Sequence, residues 1–120
     1  MYLSIKYMTL IKIKTQFEDY HYWSEAPKEV CFLQNLHRHL FYVIVKIQVR
    51  NDDRELEYFI TKRIIDKVIK ESVIPMEPSK SCEMMAEKLL DFLELDYPDR
   101  FIEVEVNEDN ENGSIINNNV

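Results

Sequence analysis

The sequence predicts a small α+β protein: one antiparallel four-stranded sheet with two helices on one of its faces. Three features of the chain carry this prediction. Strand-like alternation of apolar and polar residues occurs near both ends, two helix-like segments lie between, and short polar turns separate the segments. Because 120 residues suffice for one hydrophobic core, we expect a single domain over residues 1–117 and a frayed tail at 118–120.

Two long strands open the chain. Apolar residues recur with a period of two over much of 1–17, which predicts the first strand. The segment 20–35 mixes aromatic and polar residues without a period and is predicted to be a loop. In the second predicted strand, 36–49, one face carries His37 and His39 followed by a run of apolar side chains. A polar turn follows this strand.

Two amphipathic helices occupy the middle of the chain. Apolar residues near helical spacing predict the first helix over 57–70, and Pro75 and Pro78 end it. Ser81 is a residue type that caps helix N-termini, so it opens the second predicted helix. Pro98 closes that helix.

The last part of the chain returns to strands. Apolar and acidic or amide residues alternate over 101–107, which predicts a third strand. An acidic turn at 108–113 and a short strand at 114–116 follow. Both faces of the segment 40–49 are apolar, and a protein this small does not easily cover both. We therefore expect a homo-oligomer that assembles through its sheets.

Composition excludes several classes of function. A net charge of −7 argues against a nucleic-acid partner and against an anionic membrane surface. The chain has a single glycine, Gly113, which excludes a Walker loop and a dinucleotide-binding fingerprint. Two cysteines are too few for a disulfide scaffold, and the N-terminal segment does not resemble a cleavable leader. We therefore expect a cytoplasmic protein.

The three histidines point to a metal site. His37 and His39 are two residues apart at the start of a strand, so both imidazoles lie on one face. His21 ends the preceding strand, and an antiparallel return of the chain brings it beside them. Three imidazoles with an open fourth position are what catalytic Zn²⁺ sites use. The alternative is three unconnected polar histidines at strand ends.

Five segments of the chain resemble one known family. The pieces 17–21 and 36–43, with Cys31 between them, are similar to the pattern F-x-A-x-H, C, L-H-G-H-N-Y-x-V of the 6-pyruvoyltetrahydropterin synthase family. That family includes the 6-carboxytetrahydropterin synthase of queuosine biosynthesis. Its P-T-S-E-N-x-A-E, V-x-V-x-E and V-x-D-F-x-x-L-K motifs resemble 81–87, 104–108 and 56–62. Only the pattern of three histidines is specific.

The resemblance implies a fold, a metal and a ligand. The family has the tunnelling fold, in which subunits assemble through their sheets into a barrel, so a hexamer-like homo-oligomer is expected. It further implies zinc bound by the three histidines and a pterin- or purine-like small-molecule ligand. Glu108 corresponds to the family's substrate-anchoring glutamate, Glu83 to a substrate-side position, and Cys31 to its catalytic cysteine.

The sequence also departs from the family. The D-H-x-x-L-N segment, whose Asp and His form a proton relay with the cysteine, has no counterpart in 71–80. Arg38 replaces the glycine between the two metal histidines, and its side chain is predicted to point to the opposite face of the sheet. Cys31 lies six residues before His37 instead of four, and Met84 replaces an asparagine.

Each of the remaining candidate residues has two interpretations. Cys31 is either a base whose pKa is lowered by a nearby cation or an inert buried thiol. Cys82, at a helix N-terminus, is a weaker candidate whose thiolate the backbone N–H groups could stabilise. Glu83 is a substrate-side carboxylate or simply a favourable acid in a first helical turn. Without the family resemblance, Glu108 would be a solvated turn residue.

Two functions follow from these observations. The first is a zinc-dependent enzyme, a lyase similar to the 6-pyruvoyltetrahydropterin synthases, which acts on a dihydropterin or related heterocycle. The second is a binding protein that keeps the zinc and the pocket for a pterin- or purine-like ligand but has lost the chemistry together with the Asp-His relay. The three histidines favour the first function, and the missing relay favours the second.

Overall fold

The computed structural model of the protein describes residues 7–119. Its strands are β1 (Thr9–His21), β2 (His37–Val49), β3 (Ile102–Glu108) and β4 (Gly113–Asn117), and its α-helices are α1 (Tyr58–Val68) and α2 (Cys82–Asp96). A 3-10 helix at Lys28–Gln34 lies between β1 and β2, and a π-helical turn at Ile69–Val73 continues α1. The predicted order of two strands, two helices and two strands is confirmed for this part of the chain.

The four strands form one antiparallel sheet in the order β1-β2-β3-β4. Its register places His21 opposite His37, where β1 ends and β2 begins. Phe41 lies opposite Glu108, where β3 ends. One end of the sheet therefore collects residues from three strands, and these include most of the candidate site residues.

The core lies on one face of this sheet, beneath the two helices. Successive side chains of a strand point to opposite faces, and the burial of β2 and β3 follows this alternation. The sheet contributes the buried residues Ile13, Phe41, Val43, Val45, Ile47, Ile102, Val104 and Val106, and the helices contribute Ile65, Met85, Ala86, Leu89, Leu90 and Leu93. The predicted arrangement of a four-stranded antiparallel sheet with helices packed on it is thus observed.

Side-chain caps fix where the two helices begin. The Glu57 carboxylate accepts hydrogen bonds from the N–H groups of Phe59 and Ile60 and so caps α1. Ser81 caps α2, as predicted, by accepting from the N–H of Met84. The predicted helix 57–70 ends as an α-helix at Val68 and then continues as the π-helical turn. Among the described helices, none is long and apolar enough to cross a membrane.

The first strand lies further along the chain than predicted. The prediction was 1–17, whereas β1 runs from Thr9 to His21, and residues 1–6 lie outside the described part of the chain. The prediction ended too early because Asp19 and His21 occupy inward positions where an apolar residue is expected. The predicted loop 20–35 is shorter for the same reason, and it contains the 3-10 helix. His21 does end the strand, as predicted.

The last two strands pair closely around a short turn. Glu108 was predicted to begin an acidic turn, but it is the last residue of β3, and the turn comprises residues 109–112. A Cβ on Gly113 would overlap the Val106 carbonyl oxygen and the Asn107 backbone, so the pairing of β3 with β4 requires glycine there. Beyond β4, the side chain of Asn118 donates a hydrogen bond to the Arg100 carbonyl and accepts one from the N–H of Ile102.

Candidate metal centre

The three histidines converge at the end of the sheet described above. One ring nitrogen from each of His21, His37 and His39 lies within 4.8 Å of one from each of the others. Their ring centroids are 4.6, 5.1 and 5.0 Å apart, and the rings meet edge to face. Nitrogens bound to one tetrahedral zinc lie roughly 3.3 Å apart, so small rotations of the rings would close this spacing. The predicted convergence of the three histidines is therefore observed.

Each histidine is held through its Nδ1 atom. His21 Nδ1 donates to the backbone carbonyl of Lys80 at 3.0 Å, and His37 Nδ1 donates to the carbonyl of Asn35 at 2.8 Å. Because a carbonyl oxygen only accepts, these two Nδ1 atoms must carry the proton. His39 Nδ1 lies 2.7 Å from Asp109 Oδ2, a carboxylate oxygen that also accepts. The three hydrogen bonds fix both the tautomer and the orientation of each ring.

The second nitrogen of each ring is buried and makes no hydrogen bond within the described chain. Within residues 7–119, the Nε2 atoms of His21, His37 and His39 are shielded from solvent and make no hydrogen bond. A buried nitrogen without a partner is costly, and in folded proteins such groups are rare. Three of them in one cluster, each carrying a lone pair in the tautomer described above, are the donor set that a divalent metal ion requires.

The floor of the cluster is apolar. Phe41 is fully buried, and its ring lies 5.3 Å from that of His21 and 5.6 Å from that of His39. Burial lowers the pKa of His21, although the hydrogen bond to the Lys80 carbonyl and the charge of Glu108 act in the opposite direction. His21 is therefore neutral at pH 7, as a metal ligand must be.

Two carboxylates of the β3–β4 hairpin face the histidines. Glu108 Oε2 lies 3.1 Å from His21 Nε2 and 3.7 Å from His39 Nε2. Asp109 follows it in the turn with a positive φ of 55°, so its carboxylate folds back to accept from both His39 and the N–H of Leu40. These two hydrogen bonds lower the pKa of Asp109, which is ionised at neutral pH.

The two cysteines differ from each other in exposure and acidity. Cys31 lies in the 3-10 helix and is exposed, so the alternative of an inert buried thiol does not hold for it. Cys82 is buried at the start of α2. Burial, together with the charges of Glu108 and Glu83, raises the pKa of its thiol to about 12. The interpretation of Cys82 as a stabilised thiolate is therefore wrong, because desolvation outweighs the helix N-terminus.

Glu83 and Arg38 each interact with another side chain of the same protein. Glu83 is exposed in the first turn of α2, where its carboxylate accepts a 2.9 Å hydrogen bond from the Ser114 hydroxyl and links the helix to β4. Arg38 points away from the histidines, as predicted for its position in β2, and forms a 2.6 Å ion pair with Glu18. The guanidinium of Arg38 is therefore paired with a carboxylate on the outer face of the sheet.

The residues that orient the histidines were not found from the sequence. Lys80 and Asn35 act through backbone carbonyls, which carry no residue-type signal. The one sequence signal for Asp109 is its position directly after Glu108 in the predicted acidic turn. The Lys80 side chain is also buried, and it donates to Asp19 Oδ2 at 2.6 Å, two residues before His21.

A separate cavity lies at the other end of β1 and β2. It has a volume of about 510 Å³ and is lined by Thr9–Ile11, Val49 and residues 51–58. None of the three histidines lines it. In this protein the buried Nε2 atoms without a hydrogen bond, rather than this cavity, mark the candidate site.

Comparison with known proteins adds no assignment to this geometry. No family model matches the chain, and a search of curated proteins finds no match either.

Proposed function

We propose that the protein binds one zinc ion through His21, His37 and His39 and is a zinc-dependent enzyme acting on a dihydropterin or a related heterocycle. The single observation that carries the metal proposal is the set of three buried, unpartnered Nε2 atoms. Zinc suits a site of three imidazoles, since it favours nitrogen ligands and tetrahedral geometry. The proposed reaction is that of a lyase similar to the 6-pyruvoyltetrahydropterin synthases.

In this proposal each residue around the ion has a separate role. When bound, zinc supplies a Lewis acid that polarises oxygen atoms of the substrate. The Glu108 carboxylate can accept two parallel N–H bonds and so orient the guanidine-like edge of a pterin. The exposed thiol of Cys31 would move the proton, and Glu83 would contact the ligand from the start of α2.

A non-catalytic binding protein is the second candidate, and the histidine count favours it. The chain has three histidines, and all three belong to the metal cluster. No histidine is left for a proton relay that includes an aspartate and the cysteine. In this proposal the protein holds zinc and a pterin- or purine-like ligand without transforming it.

We further propose the tunnelling fold and a hexamer-like barrel of identical subunits in the cytoplasm. The order of strands and helices supports the fold. The sheet face opposite the helices supports assembly, because it presents the side chains of Leu40, Tyr42 and Ile44. The two free cysteines support the cytoplasmic location. The net charge of −7 argues against a nucleic-acid partner.

Elemental analysis tests the metal proposal. Purified protein is expected to carry about one zinc per chain, and His39→Ala is expected to lose it, since two imidazoles are one ligand short of a stable site. Arg38→Ala is the matched control, because Arg38 is the neighbour on the opposite face and should keep its zinc. Zinc-free wild-type protein that also fails to take up added zinc would contradict the proposal.

Incubation with dihydroneopterin triphosphate separates the enzyme from the binding protein. Turnover is followed through the pterin absorption. If the wild type turns the compound over and Cys31→Ala does not, the result supports the enzyme. Tight binding of the compound without product supports the binding protein. Turnover that is unchanged in Cys31→Ala would remove the thiol from the mechanism.

A further inference from the structure

The position of the Glu108 carboxylate carries an inference beyond the three-histidine site. Its Oε2 lies 3.1 Å from His21 Nε2 and 3.7 Å from His39 Nε2, and the side chain is about one-third exposed. Two backbone hydrogen bonds hold Glu108 in place. Its N–H donates to the Asn112 carbonyl, and its carbonyl accepts from the N–H of Glu111. The carboxylate therefore faces the cluster from a well-fixed backbone.

A hydrogen bond does not account for these short distances. His21 Nδ1 carries a ring proton, because it donates to the Lys80 carbonyl, and Nε2 is the nitrogen that faces Glu108. Within the described chain Nε2 has no hydrogen-bond partner, although Glu108 Oε2 is 3.1 Å away. A divalent ion bound by both atoms would bring them this close without a hydrogen bond between them.

The distances do fit two ligands of one metal ion. Zinc lies about 2.0 to 2.2 Å from nitrogen and carboxylate ligands, so neighbouring ligand atoms of a tetrahedral site are roughly 3.3 Å apart. The two distances from Glu108 Oε2, 3.1 and 3.7 Å, bracket that value. The charges also balance, because Glu108 and Asp109 would supply two negative charges to a divalent ion bound by neutral imidazoles.

We propose that Glu108 Oε2 is the fourth ligand of the metal ion and closes a three-histidine, one-glutamate site. This inference rests on the proposed zinc site and changes the expected role of Glu108. A carboxylate bound to the ion is not free to anchor a ligand. The open fourth position thus arises only when an incoming ligand with N–H donors draws Glu108 away, and the resting site is closed.

Cobalt substitution tests this coordination directly. Co²⁺ bound to the wild-type protein reports its ligand geometry through its visible absorption bands. Glu108→Ala should change these bands and weaken Co²⁺ binding, measured by chelator competition, by at least about 10-fold. Added acetate should restore the wild-type bands in this variant. The isosteric Glu108→Gln should also weaken binding, and circular dichroism of the metal-free proteins checks their folding.

Two further variants separate a ligand from a neighbouring charge. Glu111→Gln removes one negative charge from the same turn, at an exposed position, and should leave both the bands and the affinity unchanged. Asp109→Ala removes the acceptor of His39 Nδ1 and should weaken binding about 10-fold to 100-fold without changing which atoms bind the ion. Its bands should therefore stay close to those of the wild type.

The outcomes distinguish this inference from the metal proposal. Unchanged bands and affinity in Glu108→Ala, with Co²⁺ still lost in His39→Ala, would overturn the fourth ligand and leave the three-histidine site intact. Failure of the wild type to bind Co²⁺ or zinc at all would overturn both. A loss of affinity in Glu108→Ala no greater than in Glu111→Gln would show a charge effect only and would also reject the ligand.

Discussion

At the scale of single residues, the two cysteines show how burial decides reactivity. Cys82 has a helix N-terminus beside it, which favours a thiolate, yet its thiol is buried and faces the charges of Glu108 and Glu83. Desolvation and these negative charges act in the same direction and raise its pKa to about 12. Cys31 is exposed in the 3-10 helix and has none of this shielding. The thiol available for chemistry or modification is therefore Cys31.

Alkylation of the native protein should distinguish the two thiols. At pH 8, iodoacetamide is expected to label Cys31 and to leave Cys82 unlabelled, because a thiol with a pKa near 12 stays protonated. Raising the pH to 9 should not change this selectivity, since the thiolate of Cys82 forms only as the pH approaches 12. Peptide mass mapping gives the measurement, and urea-unfolded protein, in which both thiols react, is the control. Equal labelling in the native state would contradict the assigned burial.

The spacing of residues in the sequence predicted which histidines converge, but not what holds them in place. The period of two placed His37 and His39 on one face, and the position of His21 at the end of a strand brought it beside them. The partners of the Nδ1 atoms were not predictable, because two of them are backbone carbonyls. The Lys80 carbonyl is 59 residues from His21, and only tertiary packing brings the two together.

At the scale of elements, the connection between α1 and α2 does more than join two helices. Lys80 ends this connection, is buried, and donates to the carbonyls of Val73 and Ile74 as well as to Asp19. Its own carbonyl holds His21, and the carbonyl of Pro78 accepts from the N–H of Tyr22. These hydrogen bonds attach the connection to the end of β1, so the packing of the helices positions the histidine cluster.

Replacement of Lys80 tests this coupling. Lys80→Met keeps the length of the side chain but removes the cation that pairs with the mostly buried Asp19 carboxylate and the N–H donor to the carbonyls of Val73 and Ile74. We expect a loss of about 3 to 5 kcal/mol in the free energy of unfolding. Zinc affinity should fall as well, since the backbone carbonyl of residue 80, which accepts from His21 Nδ1, is then held less firmly. Urea denaturation of the metal-free proteins gives the measurement. Lys70→Met, at an exposed lysine, is the control and should change stability by less than about 0.5 kcal/mol.

Helices and strands were predicted well where burial dominates and poorly where the site interrupts it. The second strand and both helix starts were predicted to within one residue, because alternation and caps are local features. The first strand was placed too early, since Asp19 and His21 break its apolar face. The π-helical turn after Val68 had no local signal and reflects how the connection packs.

At the scale of the whole molecule, the two faces of the sheet are not equally covered. The helices bury one face, while the other presents Leu40, Tyr42 and Ile44 of β2 and the exposed side chain of Ile115 of β4. Charged side chains flank this apolar strip: Lys46 pairs with Glu103, and Arg38 pairs with Glu18. An apolar strip bordered by ion pairs is typical of a surface that packs against a second copy of the chain.

Light scattering coupled to size-exclusion chromatography tests this assembly. At micromolar concentration the wild type should have a mass of at least twice the 14.5 kDa of one chain, because sheet packing would remove the apolar strip from water. Ile44→Asp, in the middle of the strip, should lower that mass to a monomer, since a carboxylate cannot be buried there without a partner. Leu95→Asp changes an exposed apolar residue of α2 and should keep the oligomer. A monomeric wild type would exclude the barrel and would require the histidine site to work within a single chain.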